Sequence, residues 1–358
     1  MRRRGPTIPE IAQAIGQKLT RPVRLMEVCG THTVNIFRFG LRSLLPKELE
    51  LVSGPGCPVC VTPTREIDFL VEVARLPQVI LATFGDMLRV PGSQYSLKDL
   101  RAQGAAIKMV YSPLDTLELA EKTPDKYVVF AAVGFETTAP AVAVTVLEAQ
   151  ERGLKNLFFA VSHRTMPMAL KTLLSSGEVH IDGLILPGHV STIVGARTFE
   201  FVPQEFGLPA VVTGFEAHDI MQGIYMLIKQ IAEGRAKLEI EYRKAVTWQG
   251  NLMGQQLMHR VFEPCDAWWR GLGLIPGSGL RLRPAYQALD AQAQLGVQIP
   301  EGEDPPGCRC GDILCARAKP IDCKLFGKAC TPEHPKGPCM VSSEGTCAAW
   351  YAFYDEIA

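Results

Sequence analysis

The segment Ser53-Gly54-Pro55-Gly56-Cys57-Pro58-Val59-Cys60 separates an apolar run from an amphipathic one. Residues 49–52 predict a strand and residues 64–76 predict a helix, so the two cysteines are expected on a tight turn at the carboxyl edge of a parallel sheet. Glycine allows backbone conformations closed to other residues, and proline stiffens the loop. A C-x2-C pair in this setting can bind a soft metal or exchange a disulfide. The alternative is that both cysteines only fill the turn, although buried cysteines usually lie within apolar elements.

Strand, turn and helix alternate along most of the chain. Strands are predicted at residues 23–28, 49–52, 79–83, 106–111, 127–133, 157–161, 183–186 and 209–212. This alternation predicts an α/β protein with two similar parallel-sheet domains that face each other across a cleft. The strands from residue 127 onward are expected to form the second sheet. The predicted division is 1–120 for the first domain, 121–235 for the second, and 236–358 for a return segment and a small Cys-rich domain.

Composition narrows the possible classes of protein. The 358 residues suffice for two or three domains, and 37 Lys plus Arg balance 37 Asp plus Glu, so no net charge favours nucleic acid or an anionic membrane. No signal peptide or membrane-spanning run is evident, which predicts a cytoplasmic protein. Its 11 cysteines are then expected to be thiols or metal ligands. The phosphate-binding signatures G-x-G-x-x-G and G-x4-G-K-[ST] are absent, which disfavours an ordinary nucleotide-dependent enzyme.

Other ionisable residues follow the predicted strands. Cys29 and His32 come after the first strand and could be metal ligands or a nucleophile and its base, or simply a buried thiol beside a hydrogen-bonded histidine. If the strands before Cys29 and Cys57 are neighbours, three thiols and one imidazole should meet in one crevice. Glu136 could be a general base or a support for a ligand, or only a favourable charge at a helix start. His163 and His189 are weaker candidates on equivalent turns.

Seven cysteines crowd the end of the chain: Cys308, Cys310, Cys315, Cys323, Cys330, Cys339 and Cys347. This segment has few apolar residues and can hardly form a core of its own, so a metal centre is expected to stabilise it. Thiolate ligation indicates tetrahedral zinc or an iron–sulfur cluster. Zinc sites usually have closely paired cysteines, whereas only Cys308 and Cys310 are close here. The spacing therefore favours a [4Fe–4S] cluster over zinc.

These motifs occur together in one known family. The chain resembles the HypD family of [NiFe]-hydrogenase maturation proteins over nearly its whole length. The motifs that carry the resemblance are residues 29–33 (CGTHT), 53–60 (SGPGCPVC), 134–138 (GFETT), 186–189 (LPGH), the terminal Cys323-x6-Cys330-Thr331-Pro332, and 337–345 (GPCMVSSEG). The resemblance implies two Rossmann-like domains and a third, cluster-bearing domain. It also implies a scaffold that works with HypC to assemble the Fe(CN)2(CO) unit, receives cyanide from HypE, and reaches the hydrogenase large subunit through HypC.

The resemblance also implies site residues. Cys29, Cys57 and Cys60 are the motif thiols, with Cys57 and Cys60 expected to hold iron or to form a redox-active pair. His32 and Glu136 are expected to support them. The family spacing C-x14-C-x6-C-x16-C selects the cluster ligands Cys308, Cys323, Cys330 and Cys347.

Two other functions are compatible with the motifs. The chain could be a thiol–disulfide oxidoreductase in which Cys57 and Cys60 cycle against protein substrates, or a zinc-stapled interaction module without redox chemistry. Cyanide release from a thiocyanate requires two electrons, which a dithiol delivers as a pair and a cluster singly. The scaffold hypothesis therefore predicts redox help from both.

Overall fold

The structure is a computed structural model that describes residues 5–353, in which two sheets contain all the named strands. The strands are β1 (Val23–Glu27), β2 (Leu49–Ser53), β3 (Val79–Thr83), β4 (Ile107–Met109), β5 (Tyr127–Gly134), β6 (Leu157–Arg164), β7 (Gly183–Pro187), β8 (Ala210–Thr213), β9 (Leu238–Ile240), β10 (Phe262–Trp269) and β11 (Gly273–Leu282).

The first sheet is entirely parallel, in the order β2-β1-β7-β8-β9. The second has the order β10-β11-β6-β5-β3-β4, with a parallel core and an antiparallel β10–β11 hairpin at one edge. All residues of β5 except the first are buried, as expected for a strand covered on both faces. The predicted α/β class with two parallel-dominated sheets and a Cys-rich C-terminal region is confirmed.

The distribution of strands between the sheets differs from the prediction. β3 and β4 belong to the second sheet although they lie before residue 120, and β7 and β8 return to the first sheet although they follow residue 127. The prediction that all strands from residue 127 onward form one sheet was wrong. Boundaries at residues 120 and 235 therefore do not separate the sheets. Apolar periodicity shows that a strand is buried but not which neighbour it pairs with.

Helices connect and cover the strands. The α-helices of the described chain are α1 (Ile8–Lys18), α2 (Gly30–Arg38), α3 (Leu41–Leu44), α4 (Pro58–Val61), α5 (Thr64–Ala74), α6 (Leu97–Ala102), α7 (Asp115–Lys122), α8 (Ala139–Glu151), α9 (Met166–Ser175), α10 (Gly188–Val194), α11 (Phe201–Phe206), α12 (Ala217–Ala232), α13 (Leu252–Val261), α14 (Ala291–Leu295), α15 (Cys310–Leu314) and α16 (Thr346–Ala352). Short 3-10 helices occupy Gly85–Arg89, Ala196–Phe199, Pro284–Leu289, Pro320–Asp322 and Pro338–Met340. No helix within residues 5–353 has both the length and the apolar character needed to cross a bilayer.

The β10–β11 hairpin was not predicted from the sequence. Gly277 and Gly279 lie inside β11, where the register is irregular and the pairing shifts between Cys265 and Ala267 of β10. Glycines within a strand commonly mark such irregularities. The hairpin extends the second sheet at β6, where Leu280 pairs with His163.

The Cys-rich tail packs against both sheets. The acidic segment 301–306 is docked on the rest of the chain, since Asp304 accepts a hydrogen bond of 2.8 Å from Thr64. Further along, the rings of Trp350 in α16 and Phe37 in α2 meet edge to face with centroids 5.6 Å apart. A segment with few apolar residues of its own thus gains burial from the rest of the molecule.

Candidate functional site

The loops that carry Cys29 and Cys57 lie side by side at the carboxyl ends of β1 and β2. These strands are parallel neighbours. Beyond them, the Gly30 N–H donates to the Gly56 carbonyl at 3.1 Å. A Cβ atom at Gly56 would stand 2.3 Å from the Cys29 nitrogen, so this approach requires glycine. The predicted adjacency of the two thiol-bearing loops is confirmed.

Cys57 and Cys60 form a disulfide, with their Cα atoms 5.2 Å apart. Cys57 is 3% exposed and Cys60 is fully buried. The Cys60 N–H also points at the Cys57 sulfur, at 3.2 Å, because Cys57 caps the short helix α4. The composition predicted thiols or metal ligands, which is wrong for this pair, whereas the C-x2-C motif itself allowed a disulfide. The other nine cysteines are free.

Cys29 is held as a buried thiol. Burial raises its pKa to about 12, and the carboxylate of Glu344 contributes in the same direction. Behind it, the carboxyl group of Glu27 accepts hydrogen bonds from the Cys29 N–H at 3.3 Å and from the Thr33 hydroxyl at 2.5 Å. Burial raises the pKa of Glu27 to about 7. Cys29 is thus poised to release its proton only when something binds its sulfur.

His32 is a buried neutral imidazole one turn into α2. Its Nε2 lies 2.9 Å from the Gly214 carbonyl and 3.2 Å from that of Thr213, so Nε2 must carry the proton. Its Nδ1, the nitrogen with the free electron pair, has no hydrogen-bond partner in residues 5–353. Burial lowers the His32 pKa to about 4, which keeps the ring neutral near pH 7. The residue therefore fits a supporting role as acceptor or ligand.

Glu344 and His189 approach the same region from other parts of the chain. The Thr31 hydroxyl donates to Glu344 Oε1 at 2.6 Å, and the Glu344 backbone lies against Gly30. His189, at the start of α10, stacks on Phe215 at 3.8 Å between ring centroids, and His32 stacks on Phe215 at 4.7 Å. The sequence prediction underweighted His189 and omitted Glu344 and Glu27. Glu27 is an acidic residue inside the predicted strand at residues 23–28, and acidic residues are rarely buried, so its position was an available signal.

Glu136 lies in a different environment. Its Oε1 accepts the Met166 N–H at 2.9 Å, at the start of α9, and its Oε2 has no partner in the described chain. Burial raises its pKa to about 7. Its neighbour Phe135 stacks on Trp269 and shares an apolar cluster with Cys57 and Cys60. The bonds of the carboxyl group therefore run to α9, and contact with the thiol loops comes through Phe135.

His163 is a core residue of β6, since that strand extends to Arg164 and the predicted turn begins later. Both ring nitrogens are buried without partners in the described chain, and the ring lies against Phe262. Burial lowers its pKa to about 3. The ring is therefore neutral near pH 7, and its place in the core does not suit a general acid or base.

Five of the seven tail cysteines converge on one small apolar cavity. The four predicted cluster ligands line it together with one further thiol: Cys308, Cys323, Cys330, Cys347 and Cys310. The Cys310 thiol interacts with those of Cys308, Cys339 and Cys347, and its interaction lowers the pKa of Cys308 to about 7. Cys315 instead donates to the Gly271 carbonyl at 3.5 Å. An all-sulfur donor set in an apolar cavity suits a soft, thiophilic centre.

These thiols are not arranged around a single ion. Within residues 5–353, no three His, Cys, Asp or Glu side chains are placed to hold one metal ion. A four-iron cluster holds its thiolates farther apart than one zinc ion, whose bonds to sulfur are about 2.3 Å. The all-sulfur donor set fits such a cluster. Because five thiols line the cavity, more than one set of four could serve as its ligands.

Comparison with known proteins matches the amino-acid sequence to a family. The profile described as "HypD: Hydrogenase formation hypA family" matches residues 6–354. The chain belongs to the HypD family. It is 46% identical over 360 residues to the hydrogenase maturation factor HypD of Azotobacter vinelandii, covering 98% of this chain and 95% of that relative. It is also 46% identical over 347 residues to HypD of Escherichia coli K12, covering 96% of this chain and 92% of that relative. To HypD of Rhodobacter capsulatus it is 45% identical over 351 residues, covering 97% of this chain and 93% of that relative.

Membership of the HypD family makes this chain a hydrogenase maturation factor. The motifs that carried the resemblance come from distant parts of the HypD-family chain. The structure brings residues 29–33, 53–60, 186–189 and 337–345 to the carboxyl edge of the first sheet.

Proposed function

We propose that this chain, together with HypC, is the scaffold on which the Fe(CN)2(CO) unit of a [NiFe]-hydrogenase is assembled, and that it accepts cyanide from HypE. The observation that carries the proposal is the Cys57–Cys60 pair in a loop that is hydrogen bonded to the Cys29 loop. Family membership supplies the process, hydrogenase maturation. We place the protein in the cytoplasm, because nine of its cysteines are free and the cytoplasm keeps thiols reduced.

The iron is the cargo of this site. Thiolates bind iron well, and binding displaces the proton that the buried Cys29 otherwise retains. His32 offers the free electron pair of Nδ1, and the buried Glu27 accepts the Cys29 N–H, which orients the loop. Cyanide and carbonyl ligands need a site closed to water, and burial of all three thiols supplies it.

Cyanide release can be balanced with the two thiols of the reduced pair. A thiocyanate on HypE and the thiols of Cys57 and Cys60 give a HypE thiol, hydrogen cyanide and the Cys57–Cys60 disulfide. The sulfur–carbon bond breaks, the sulfur–sulfur bond forms, and the thiols supply two electrons and two protons. Cyanide then binds iron and its proton goes to solvent. The disulfide in this structure corresponds to the oxidised product of that step.

We further propose that Cys308, Cys323, Cys330 and Cys347 hold a [4Fe–4S] cluster, with Cys310 beside them. When bound, such a cluster supplies single electrons. Metal analysis of anaerobically purified protein tests this assignment. Iron with acid-labile sulfide is the expected result, whereas zinc alone would support the interaction-module alternative.

Infrared spectroscopy tests the scaffold, because metal-bound cyanide and carbonyl absorb where proteins do not. The chain is purified with HypC from cells that contain the maturation proteins, as wild type and as the variants Cys57→Ser, Cys60→Ser and Cys265→Ser. Wild type and Cys265→Ser, which alters a free half-buried thiol on β10, should carry iron with cyanide and carbonyl bands. The Cys57 and Cys60 variants should lack the cyanide bands. Unchanged cyanide bands in both of these variants would refute the assignment.

The disulfide also favours a second candidate, a thiol–disulfide oxidoreductase. Burial of both sulfur atoms opposes it, since exchange requires a thiolate to reach the disulfide directly. An assay of insulin reduction by the isolated chain discriminates between the scaffold function and the oxidoreductase function. The scaffold function predicts negligible turnover, while brisk turnover that persists in Cys29→Ser would support the oxidoreductase.

A further inference from the structure

The turn between β10 and β11 touches the Cys57–Cys60 loop through Arg270. This arginine is 2% exposed. Its backbone N–H donates to the Val61 carbonyl at 2.8 Å, its Nε to the Cys60 carbonyl at 3.2 Å, and its Nη2 to the Thr62 carbonyl at 2.8 Å. One residue, through its backbone N–H and its guanidinium, thus holds the three carbonyl groups at the end of α4, the turn that carries the disulfide.

The same turn touches the Cys-rich tail. Arg270 forms an ion pair through Nη1 with Asp304, which stands four residues before Cys308. The next residue, Gly271, packs its backbone against Gly311, with a Cβ at Gly271 falling only 2.4 Å from the Gly311 carbonyl oxygen. The hairpin turn therefore lies between the disulfide loop and the tail cysteines.

We propose that Arg270 and Asp304 are positioning residues for the Cys57–Cys60 pair, and that they set its reduction potential through the docking of the tail. A disulfide is stabilised when the backbone holds its two thiols at a high effective concentration. The observed Cα separation of 5.2 Å lies within the range that disulfides require. Arg270 fixes the Cys60 backbone in this position, and Asp304 fixes the Arg270 guanidinium. Loss of either contact lets the thiols separate and makes the disulfide easier to reduce.

The alternative is that the ion pair between the buried Arg270 and the exposed Asp304 serves stability alone. The chain offers a matched control in Arg164, which is also buried. Arg164 pairs with Glu66 at 2.6 Å and donates to the Trp268 carbonyl at 2.8 Å. It supports the same hairpin and reaches the Thr62 hydroxyl at 3.3 Å, but it binds no carbonyl group of the Cys57–Cys60 turn. Its removal therefore reports the stability effect without releasing the Cys60 backbone.

The test is equilibration of the whole purified chain with mixtures of reduced and oxidised dithiothreitol, followed by mass spectrometry of the labelled peptide 57–60. Dithiothreitol gives up two electrons and two protons as the disulfide becomes two thiols. Arg270→Gln should lower the equilibrium constant for disulfide formation about tenfold, which is about 30 mV towards easier reduction. Asp304→Asn should lower this equilibrium constant by a smaller factor. The equilibrium constant of Arg270→Lys should lie between those of the wild type and Arg270→Gln. Arg164→Gln should leave it unchanged.

Equal shifts in Arg270→Gln and Arg164→Gln, or no shift in Arg270→Gln, would overturn the proposal. If circular dichroism shows that Arg270→Gln is unfolded, Asp304→Asn decides, because Asp304 is 48% exposed and its replacement is tolerable. An unchanged equilibrium in Asp304→Asn then rejects the proposal. The inference rests on the redox role of Cys57 and Cys60 in the proposed function. The potential is nevertheless measured without HypE or iron, so a failed cyanide transfer and a failed positioning role give separate results.

Discussion

Two glutamates, Glu27 and Glu136, are buried near the carboxyl ends of strands in different sheets. Burial raises the pKa of each to about 7. Glu27 accepts two hydrogen bonds near Cys29, whereas Glu136 leaves one oxygen without a partner in the described chain. Each carboxyl group can therefore hold a proton near neutral pH.

The Glu136→Gln variant should change the pH dependence of stability. The folded-state pKa of about 7 lies above the ordinary value of 4.5, so the folded chain binds the extra proton between these values. The contribution of Glu136 to the free energy of unfolding is therefore fully present below pH 4.5 and is lost as the pH rises to about 7. Relative to Glu136→Gln, the wild type should lose roughly 2–3 kcal/mol of unfolding free energy between about pH 5 and about pH 8.

Urea titrations at the two pH values measure this difference. Glu148→Gln, which alters an exposed carboxylate on α8, is the control and should show the pH profile of the wild type. Parallel profiles for wild type and Glu136→Gln would contradict the assignment of a raised pKa.

Residue types and spacing predicted the thiols, His32 and Glu136 because each follows a strand. They did not predict Arg270, since an isolated arginine in an aromatic, Gly-rich stretch carries no local signal of its partners. Its bonds run to residues about 210 positions earlier, and only the folded chain brings them together.

The C-x2-C turn shows how one element serves the site. Cys57 caps α4, Pro58 begins it, and Arg270 bonds its last carbonyl groups. Proline suits the first position of a helix because no backbone N–H is needed there. A short turn held at both ends keeps its two cysteines close, which is the geometry that reversible disulfide chemistry requires.

The contact between the β10–β11 turn and α15 can be tested with a glycine pair. Gly271 and Gly273 both have positive φ, at 82° and 76°, so alanine costs about 1–2 kcal/mol at either position. Only Gly271 also lies against Gly311, whereas a Cβ at Gly273 meets no atom within 4 Å. Gly271→Ala should therefore lose about 1–3 kcal/mol more unfolding free energy than Gly273→Ala.

Urea unfolding of both variants measures the difference, and limited proteolysis shows where it acts. Cleavage within the Cys-rich tail should accelerate in Gly271→Ala only. Equal losses in the two variants would mean that the contact with α15 contributes nothing to tail docking.

The two sheets are interlocked rather than arranged along the chain in sequence. The chain enters the first sheet, forms the core of the second, returns to the first and ends in the second. The tail then joins both, since Glu344 contacts Thr31 beyond β1 while Ser342 donates to Asp86 beyond β3 at 3.0 Å. Neither sheet can be completed by a continuous half of the molecule.

A fragment of residues 1–120 should accordingly fail to fold by itself. It contains β1 and β2 of one sheet and β3 and β4 of the other, each without its central partners. We expect no cooperative thermal transition by circular dichroism for the fragment. The full chain, as the control, should unfold with coincident transitions by circular dichroism and tryptophan fluorescence. A sharp transition in the fragment would show that the first 120 residues form an autonomous domain.

Sequence alone determined the strands β1 to β8, the positions of the thiols and the α/β class, because apolar periodicity and glycine–proline turns are local properties of the chain. It also carried the motifs of the family. Tertiary structure alone decided which strands share a sheet, that the β10–β11 hairpin exists, and that Glu27, Glu344 and Arg270 surround the cysteine loops. These features depend on pairing and burial between residues far apart in the chain, and such contacts leave no periodic trace in any one segment.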